Sequence, residues 1–218
     1  ELSRRYYLGE QAYVLGSLAS RRFGLLQLSM DSLIRLSKKT EDTSFLSVRR
    51  GDSSICLYRE EGTYPVRTHA LQAGQEHPLG IGAGSLAILA ALPDEEVEGI
   101  LAANEPLLIE RYPRFHPHHL RDHVAATREA GFSLNPGLIV PNSWGVGVAL
   151  RNPDGLPVGA LSVAAIDSRM GRERQVELAR CLAEEVAAVE ARLGQMFASR
   201  NPQPPKAQQK DHSRRETR

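Results

Sequence analysis

Two tight turns dictate most of what this 218-residue chain can become. The first, Gly51-Asp52, separates TEDTSFLSVRRGD from SSICLYREEG, two short runs rich in β-branched and aliphatic residues, the pattern of a hairpin. The second, Asn152-Pro153-Asp154-Gly155, joins WGVGVALRN to LPVGALSVAAI with residues that initiate and close β-turns. Strands joined this closely run antiparallel. YPVRTHALQ and FSLNPGLIV supply two further strand candidates. Helical patterns separate and follow these runs. An apolar SLAILAALP is closed by Pro93, and a second helix begins at Asp94-Glu95 with Val97, Ile100 and Leu101 at helical spacing. A third runs from about His118 to Ala130 and ends at Gly131. A long terminal helix spans Arg172 to Phe197, with Val176, Ala179, Leu182, Ala183, Val186, Val189, Leu193 and Met196 as its apolar stripe. Antiparallel strands with segregated helices predict an α+β domain rather than a doubly wound one.

Hydrophobic residues make up 41% of the chain and charged residues 24%, ordinary for a globular protein. No apolar run approaches the roughly 18 residues that a membrane helix needs, so no membrane association is expected. The chain starts at Glu1 with no signal-peptide pattern, which predicts a chain trimmed at its N-terminus and a cytoplasmic location. Net charge is +1, unevenly spread. Residues 199–218 carry Arg200, Lys206, Lys210, Arg214, Arg215 and Arg218 against Asp211 and Glu216, a net +4 that leaves −3 for the rest. That proline-rich tail has too little apolar surface to offset the entropy of ordering and is expected to be disordered. A mildly acidic body is not by itself an electrostatic reader of nucleic acid. Cys56 and Cys181 have no metal-site spacing and point to a reducing compartment.

The run GIGAGS places Gly80, Gly82 and Gly84 directly before a helix that starts near Ser85. Unpaired N–H groups at such a helix start, approached closely over glycine, suit a carboxylate or another small anion. Tight packing between strand and helix is the alternative reading. Neither a phosphate-binding Walker loop nor a dinucleotide fingerprint matches. Ser85 lacks the G-x-S-x-G elbow and any tied base, so it reads as a helix-start residue rather than a nucleophile. His116, His118, His119 and His123 cluster in RFHPHHLRDH, with His119 and His123 on one helical face at a metal-compatible spacing. Asp122 falls off that face, which favours a solvated helix start; no metal and no cofactor are expected. Trp144 lies beside Gly145 and Gly147, small residues that leave room above a sheet for a ligand or another side chain. Asn135 and Ser162, on neighbouring strand candidates, have the hydrogen-bonding groups for such a space.

These residues resemble the effector-binding domain of IclR-type transcriptional regulators. The resemblance begins at YYLGEQAYVLGS, like that family's linker helix. It continues through TSFLSVRRGDSSICLYR, HPLGIGAGSLAILAALP and LRDHVAATREAGFSLNPG, and closes with GVGVALRNPDGLPVGALSVAAI and the terminal helix. It covers roughly residues 6 to 197. It implies a GAF-like curved antiparallel sheet flanked by helices, with an N-terminal linker helix and a long C-terminal helix. The expected organisation is a linker helix over 1–23 from a missing DNA-binding domain, an effector-binding domain over 24–198, and the tail.

Pocket positions follow from the resemblance one at a time. The oxygen-binding backbone falls on Ala83 and Gly84, and an acidic pocket residue of the family is Asn135 here. A strand contact falls on Gly145, and a Ser-x-Ser pair on Ser162 and Ala164. An apolar wall falls on Val66, His69 and His77, with Leu79 nearby in the same block. Histidines in place of aliphatics imply a more polar entrance, and Gly145 implies space for a carboxylate larger than a two-carbon acid. The implied function is a sensor of a small organic acid, aromatic acids included, whose occupancy changes a homodimer or homotetramer and so operator binding through the missing winged helix. The alternatives are a small-molecule enzyme or a GAF-like interaction module using the same pocket. No paired carboxylates, nucleophile–base pair or metal triad converges in the sequence, so no catalysis is expected.

Overall fold

The computed structural model describes residues 9–22, 24–67 and 71–200. Helix α1 (Glu10–Arg22) leads into α2 (Leu25–Thr40), followed by the hairpin β1 (Thr43–Arg50) and β2 (Ser53–Glu60) and a short β3 (Glu76–Pro78). Three helices come next: α3 (Ala83–Ala90), α4 (Asp94–Arg111) and α5 (Pro117–Ala130), with a 3-10 turn at Pro113–Phe115. Strands β4 (Ser133–Pro136), β5 (Ser143–Arg151) and β6 (Pro157–Ile166) precede α6 (Arg172–Arg200). The six strands form one curled antiparallel sheet in the order β3-β2-β1-β6-β5-β4, so the fold is α+β as expected. Both anticipated hairpins are present, at β1–β2 and β5–β6.

Strand alternation gives the sheet two unlike faces. Leu46 of β1, Val146 and Leu150 of β5, and Leu161 and Val163 of β6 join α2 and α6 in one core, with Leu33, Leu36, Leu178, Leu182 and Val189. On the other side small residues predominate, among them Gly145, Gly147, Ala160, Ser162 and Ala164, and α3 covers them, backed by α5, with α4 in the same apolar cluster. All eight residues of α3 are buried, because this helix lies between the sheet and α5.

Three sequence expectations change. YPVRTHALQ forms no strand over its described residues; the third strand of that half is Glu76–Pro78. The Tyr64 N–H instead donates to the Glu41 carbonyl at 2.9 Å, and the Arg169 guanidinium lies 3.8 Å over the Tyr64 ring. Tertiary contacts therefore override β-propensity there. FSLNPGLIV is a strand only over Ser133–Pro136, since Gly137 turns the chain at φ +73°. The buried stripe of α6 uses Leu178 and Cys181, while Val176 and Ala183 are exposed; the helix also runs to Arg200. Residues 1–8 and 201–218, with most of the expected tail, lie outside the described residues, as does His69.

Candidate effector site

The Gly-rich turn is built from its backbone outward. Gly80 and Gly82 adopt φ of +101° and +83°, conformations that other L-residues rarely adopt. Ser85 fastens the turn: its Oγ accepts the Gly80 N–H at 3.0 Å and donates to the Pro78 carbonyl at 3.3 Å. Its hydroxyl is thereby committed to structure.

The first α-type bond of α3 runs from the Leu86 N–H to the Gly82 carbonyl, and no side chain caps the helix. The N–H groups of Ala83, Gly84 and Ser85 therefore have no partner within the helix. The opposite end is treated differently. Arg128 donates to the Ala90 carbonyl at 2.9 Å and to the Leu92 carbonyl at 2.7 Å, setting a cation at the negative pole of the helix dipole. Only the positive pole is left open.

That pole lies in a cavity of about 50 Å³. At about 10–15 Å³ per water centre, this holds roughly three to five waters. Ala83, Gly84, His77, Asn135, Gly145, Ser162 and Ala164 all line it, so seven of the ten residues expected at the site are brought together. Strand register explains how. Asn135 pairs with Gly145, and Gly145 with Ala164, one row across β4, β5 and β6. Ser162 occupies the next row, opposite Gly147. Val66 is not in the lining and is 56% exposed, and Leu79 is fully buried in the core among α3, α4 and α5.

Of the two occupants expected above Gly145, a ligand or another side chain, the structure shows the second. A Cβ there would sit 3.2 Å from Ala83 Cβ, and one on Gly147 would sit 2.8 Å from the Ala83 carbonyl carbon and oxygen. These glycines give their space to the end of α3 rather than to a larger ligand. Ser133 reinforces the contact by donating to the Ala83 carbonyl at 2.6 Å.

No lining residue carries a formal charge at neutral pH. The Asn135 carboxamide oxygen accepts the Leu138 N–H at 3.2 Å, leaving its NH2 for a ligand. Burial pushes the His77 imidazole below its ordinary range, which keeps it neutral. Its Nδ1 lies 3.0 Å from the Tyr112 hydroxyl, while Nε2 is buried without a partner. An unsatisfied group of that kind costs about 1–3 kcal/mol until something fills it. Burial also pushes the Cys56 thiol up to about 11, so this lining cysteine is no nucleophile at neutral pH.

Sequence reasoning missed Phe45, Ser47 and Ser54 in the lining. The period-2 alternation of β1 was the available signal for the first two, once its inner face was known. Elsewhere, His116 accepts the His118 N–H at 3.3 Å as the cap of α5, and no group of three or more metal-ligating residues occurs among the described residues.

The described helices include none long and apolar enough to cross a membrane. Residues 18–191 match the family model for the C-terminal region of the bacterial transcriptional regulator IclR. The chain is 22% identical over 194 residues to the HTH-type transcriptional regulator KipR of Bacillus subtilis, covering 89% of this chain and 77% of that one. It is 26% identical over 191 residues to a probable HTH-type regulator, ArcR, of Halobacterium salinarum, covering 86% and 73%. Among solved structures, Thermotoga maritima IclR superposes with a TM-score of 0.76 at 23% identity, covering 89% of this chain and 78% of that one. A putative IclR regulator from Silicibacter sp. TM1040 gives 0.75 at 25%, covering 89% and 76%. The match along most of its length assigns this chain to the family of C-terminal domains of IclR-type bacterial transcriptional regulators.

Proposed function

We propose that this domain senses a small organic acid for a DNA-binding regulator and is not an enzyme. The observation that carries the reading is the asymmetry of α3: Arg128 occupies its negative end, while its uncapped positive end opens into an uncharged cavity. A carboxylate on the N–H groups of Ala83 and Gly84 is stabilised by that pole without a lysine or arginine. Ser47 and Ser162 crowd the same spot, with Oγ atoms 3.1 and 3.2 Å from where a Gly84 Cβ would stand. His77, Asn135, Gly145 and Ala164 form the remaining contacts. Operator DNA is contacted by a winged helix-turn-helix outside this chain, in the cytoplasm. Ligand acts by favouring one arrangement of a homodimer or homotetramer over another, which requires unequal affinity for the two. An enzymatic use of the pocket finds no support in its chemistry, because Ser85 is bound to backbone and Cys56 stays a thiol.

A thermal-shift screen with small organic acids tests this. An acid at 100 times its Kd should stabilise the domain by about 2.7 kcal/mol. A flat melting point across the whole screen would refute the sensor reading. Tight, sequence-specific DNA binding by this chain alone would overturn the assignment of operator contact to another domain.

A further inference from the structure

One hairpin loop reaches over the start of α3. The residues Gly137–Asn142 connect β4 to β5, and from this loop Ile139 enters the cavity lining. Its Cδ1 lies 3.0 Å from where a Cβ on Gly82 would stand, against the turn that leads into the helix. The two ends of the loop meet. Gly137 and Asn142 both hold left-handed backbone, at φ +73° and +64°, and a Cβ on Gly137 would stand 3.3 Å from the Asn142 nitrogen. Pro136 and Pro141, each with its φ fixed by the ring, immediately precede these two residues. Backbone rotation is thereby concentrated at Gly137 and Asn142, the few-residue arrangement that hinges use.

The loop is fastened almost entirely to itself. The Leu138 N–H donates to the Asn135 side-chain oxygen at 3.2 Å and the Ser143 N–H to the Val140 carbonyl at 3.0 Å, both within the hairpin. At its base the Asn142 carbonyl accepts the Asp167 N–H at 3.0 Å. Above that base, among the described residues, the one polar tie to the rest of the domain is Arg114 Nη1 to the Gly137 carbonyl, a long bond at 3.4 Å. The Ile139 and Val140 N–H groups have no acceptor among the described residues, and Val140 is exposed. The loop that supplies Leu71 to the lining is held otherwise: Gly74 donates to the Cys56 carbonyl at 2.8 Å and Cys56 to the Gln75 carbonyl at 3.0 Å. Sparse burial and few backbone bonds make Gly137–Asn142 the part of the cavity wall that opens most readily. We propose that this loop is a hinged plug, which closes the cavity when it is empty and swings out about Gly137 and Asn142 to admit a ligand to the Ala83 and Gly84 N–H groups. The proposal rests on the effector-site reading above, which gives the cavity something to admit. Swinging out lifts Ile139 off Gly82 and parts Leu138 from Asn135, so the Asn135 carboxamide is released to the cavity as the entrance opens. The binding-competent form is then a minor one, and apparent affinity falls in proportion to its population.

Amide hydrogen exchange on the ligand-free protein tests the plug with water as the probe. The Ala83 and Gly84 N–H groups lack a helical partner and line the cavity, so solvent should exchange them when the plug is out. Corrected for intrinsic rates, they should keep pace with Leu138 and Ser143 to within about threefold, and exchange about a hundredfold faster than Val146 in the middle of the sheet. Ile139→Ala removes the contact with Gly82 and should speed exchange at Ala83 and Gly84 by about fivefold or more, with a melting temperature close to wild type. Arg114→Ala leaves every side chain of the plug in place and should act in the same direction, by about twofold. Acrylamide quenching of Trp144, the single tryptophan of the chain and a residue of the cavity lining, should rise in both variants. Exchange at Ala83 and Gly84 at the rate of an unprotected amide would mean that the cavity already stands open. Exchange as slow as that of Val146 would mean that the loop does not move short of unfolding, and rates unchanged by both substitutions would place the entrance elsewhere. Each of these results overturns the plug and leaves the sensor reading to the thermal-shift screen. A flat screen alongside gated exchange overturns both, because a gate then has nothing to admit.

Discussion

At the scale of single residues, the site depends on how closely a helix end approaches a sheet. Gly147 carries that approach more than Gly145 does. A Cβ at 147 would overlap Ala83 backbone atoms at 2.8 Å, whereas for one at 145 the nearest atom is a side-chain carbon at 3.2 Å and the Val163 carbonyl oxygen lies at an ordinary 3.7 Å. Gly147→Ala should therefore destabilise the domain by about 1–3 kcal/mol through overpacking and displace the end of α3. Gly145→Ala should cost visibly less. Melting temperatures of the two variants check the order, and equal losses would contradict the role given to Gly147. The individual site residues were legible to different degrees. Asn135, Gly145, Ala164 and Ser162 were readable from motif resemblance, and strand pairing brings them together. The bond between His77 and Tyr112 was not readable, because it joins residues 35 positions apart through packing that no local pattern encodes. Gly145 was noticed for the right reason, a missing side chain, but the beneficiary of that space is only apparent in three dimensions.

At the scale of elements, the helical layer behind the sheet is tied to it by a buried ion cluster. Asp42, at the start of β1, is 4% exposed and receives Arg169 at 3.0 and 3.1 Å and Arg174 at 3.3 Å. Those arginines stand at the entry to α6, so the cluster fastens the last helix to the junction of α2 and the sheet. Asp42→Asn removes the buried charge that the two guanidinium groups share, leaving Arg174 to Glu177 at 2.8 Å and Arg169 to Glu41 at 3.8 Å. Both arginines keep a fifth to a quarter of their side-chain surface in water, so the loss should be about 2 kcal/mol, below that for a fully buried pair. Urea unfolding measures it, and a midpoint unchanged from wild type would show that the cluster contributes nothing. Local signals served the elements well where turn chemistry or helix periodicity was strong, as in both hairpins and in α5 with its Gly131 end. They failed at β3, a three-residue edge strand whose pairing with β2 depends on where the preceding loop is pinned. They also failed at the face of α6. Cys181 is not an aliphatic, and Leu178, four residues before Leu182, loses its place in the stripe to Val176; which side is inner follows from the sheet beneath them.

At the scale of the whole molecule, α1 leaves an apolar face without cover among the described residues: Val14, Leu15 and Leu18 are 43, 66 and 59% exposed. A monomer gains nothing from that arrangement, so it supports the proposed association of two copies. Burying the exposed remainder of Leu15 and Leu18 would contribute about 2–4 kcal/mol per copy to a dimer. Leu15→Glu with Leu18→Glu should accordingly shift the chain toward monomer in sedimentation velocity while leaving the melting of the sheet domain nearly unchanged. A mass distribution identical to wild type would place the interface elsewhere. The sheet order carries a different consequence, one of time rather than structure. Its two central strands come from opposite ends of the domain, with Thr43 paired to Ala164 and Val48 to Gly159. The hairpin β1–β2 can form locally within microseconds, but the sheet cannot close until the chain joins regions far apart in sequence. During synthesis, the early strands must wait with one edge open until β6 has left the ribosome, and only then does the floor of the cavity exist.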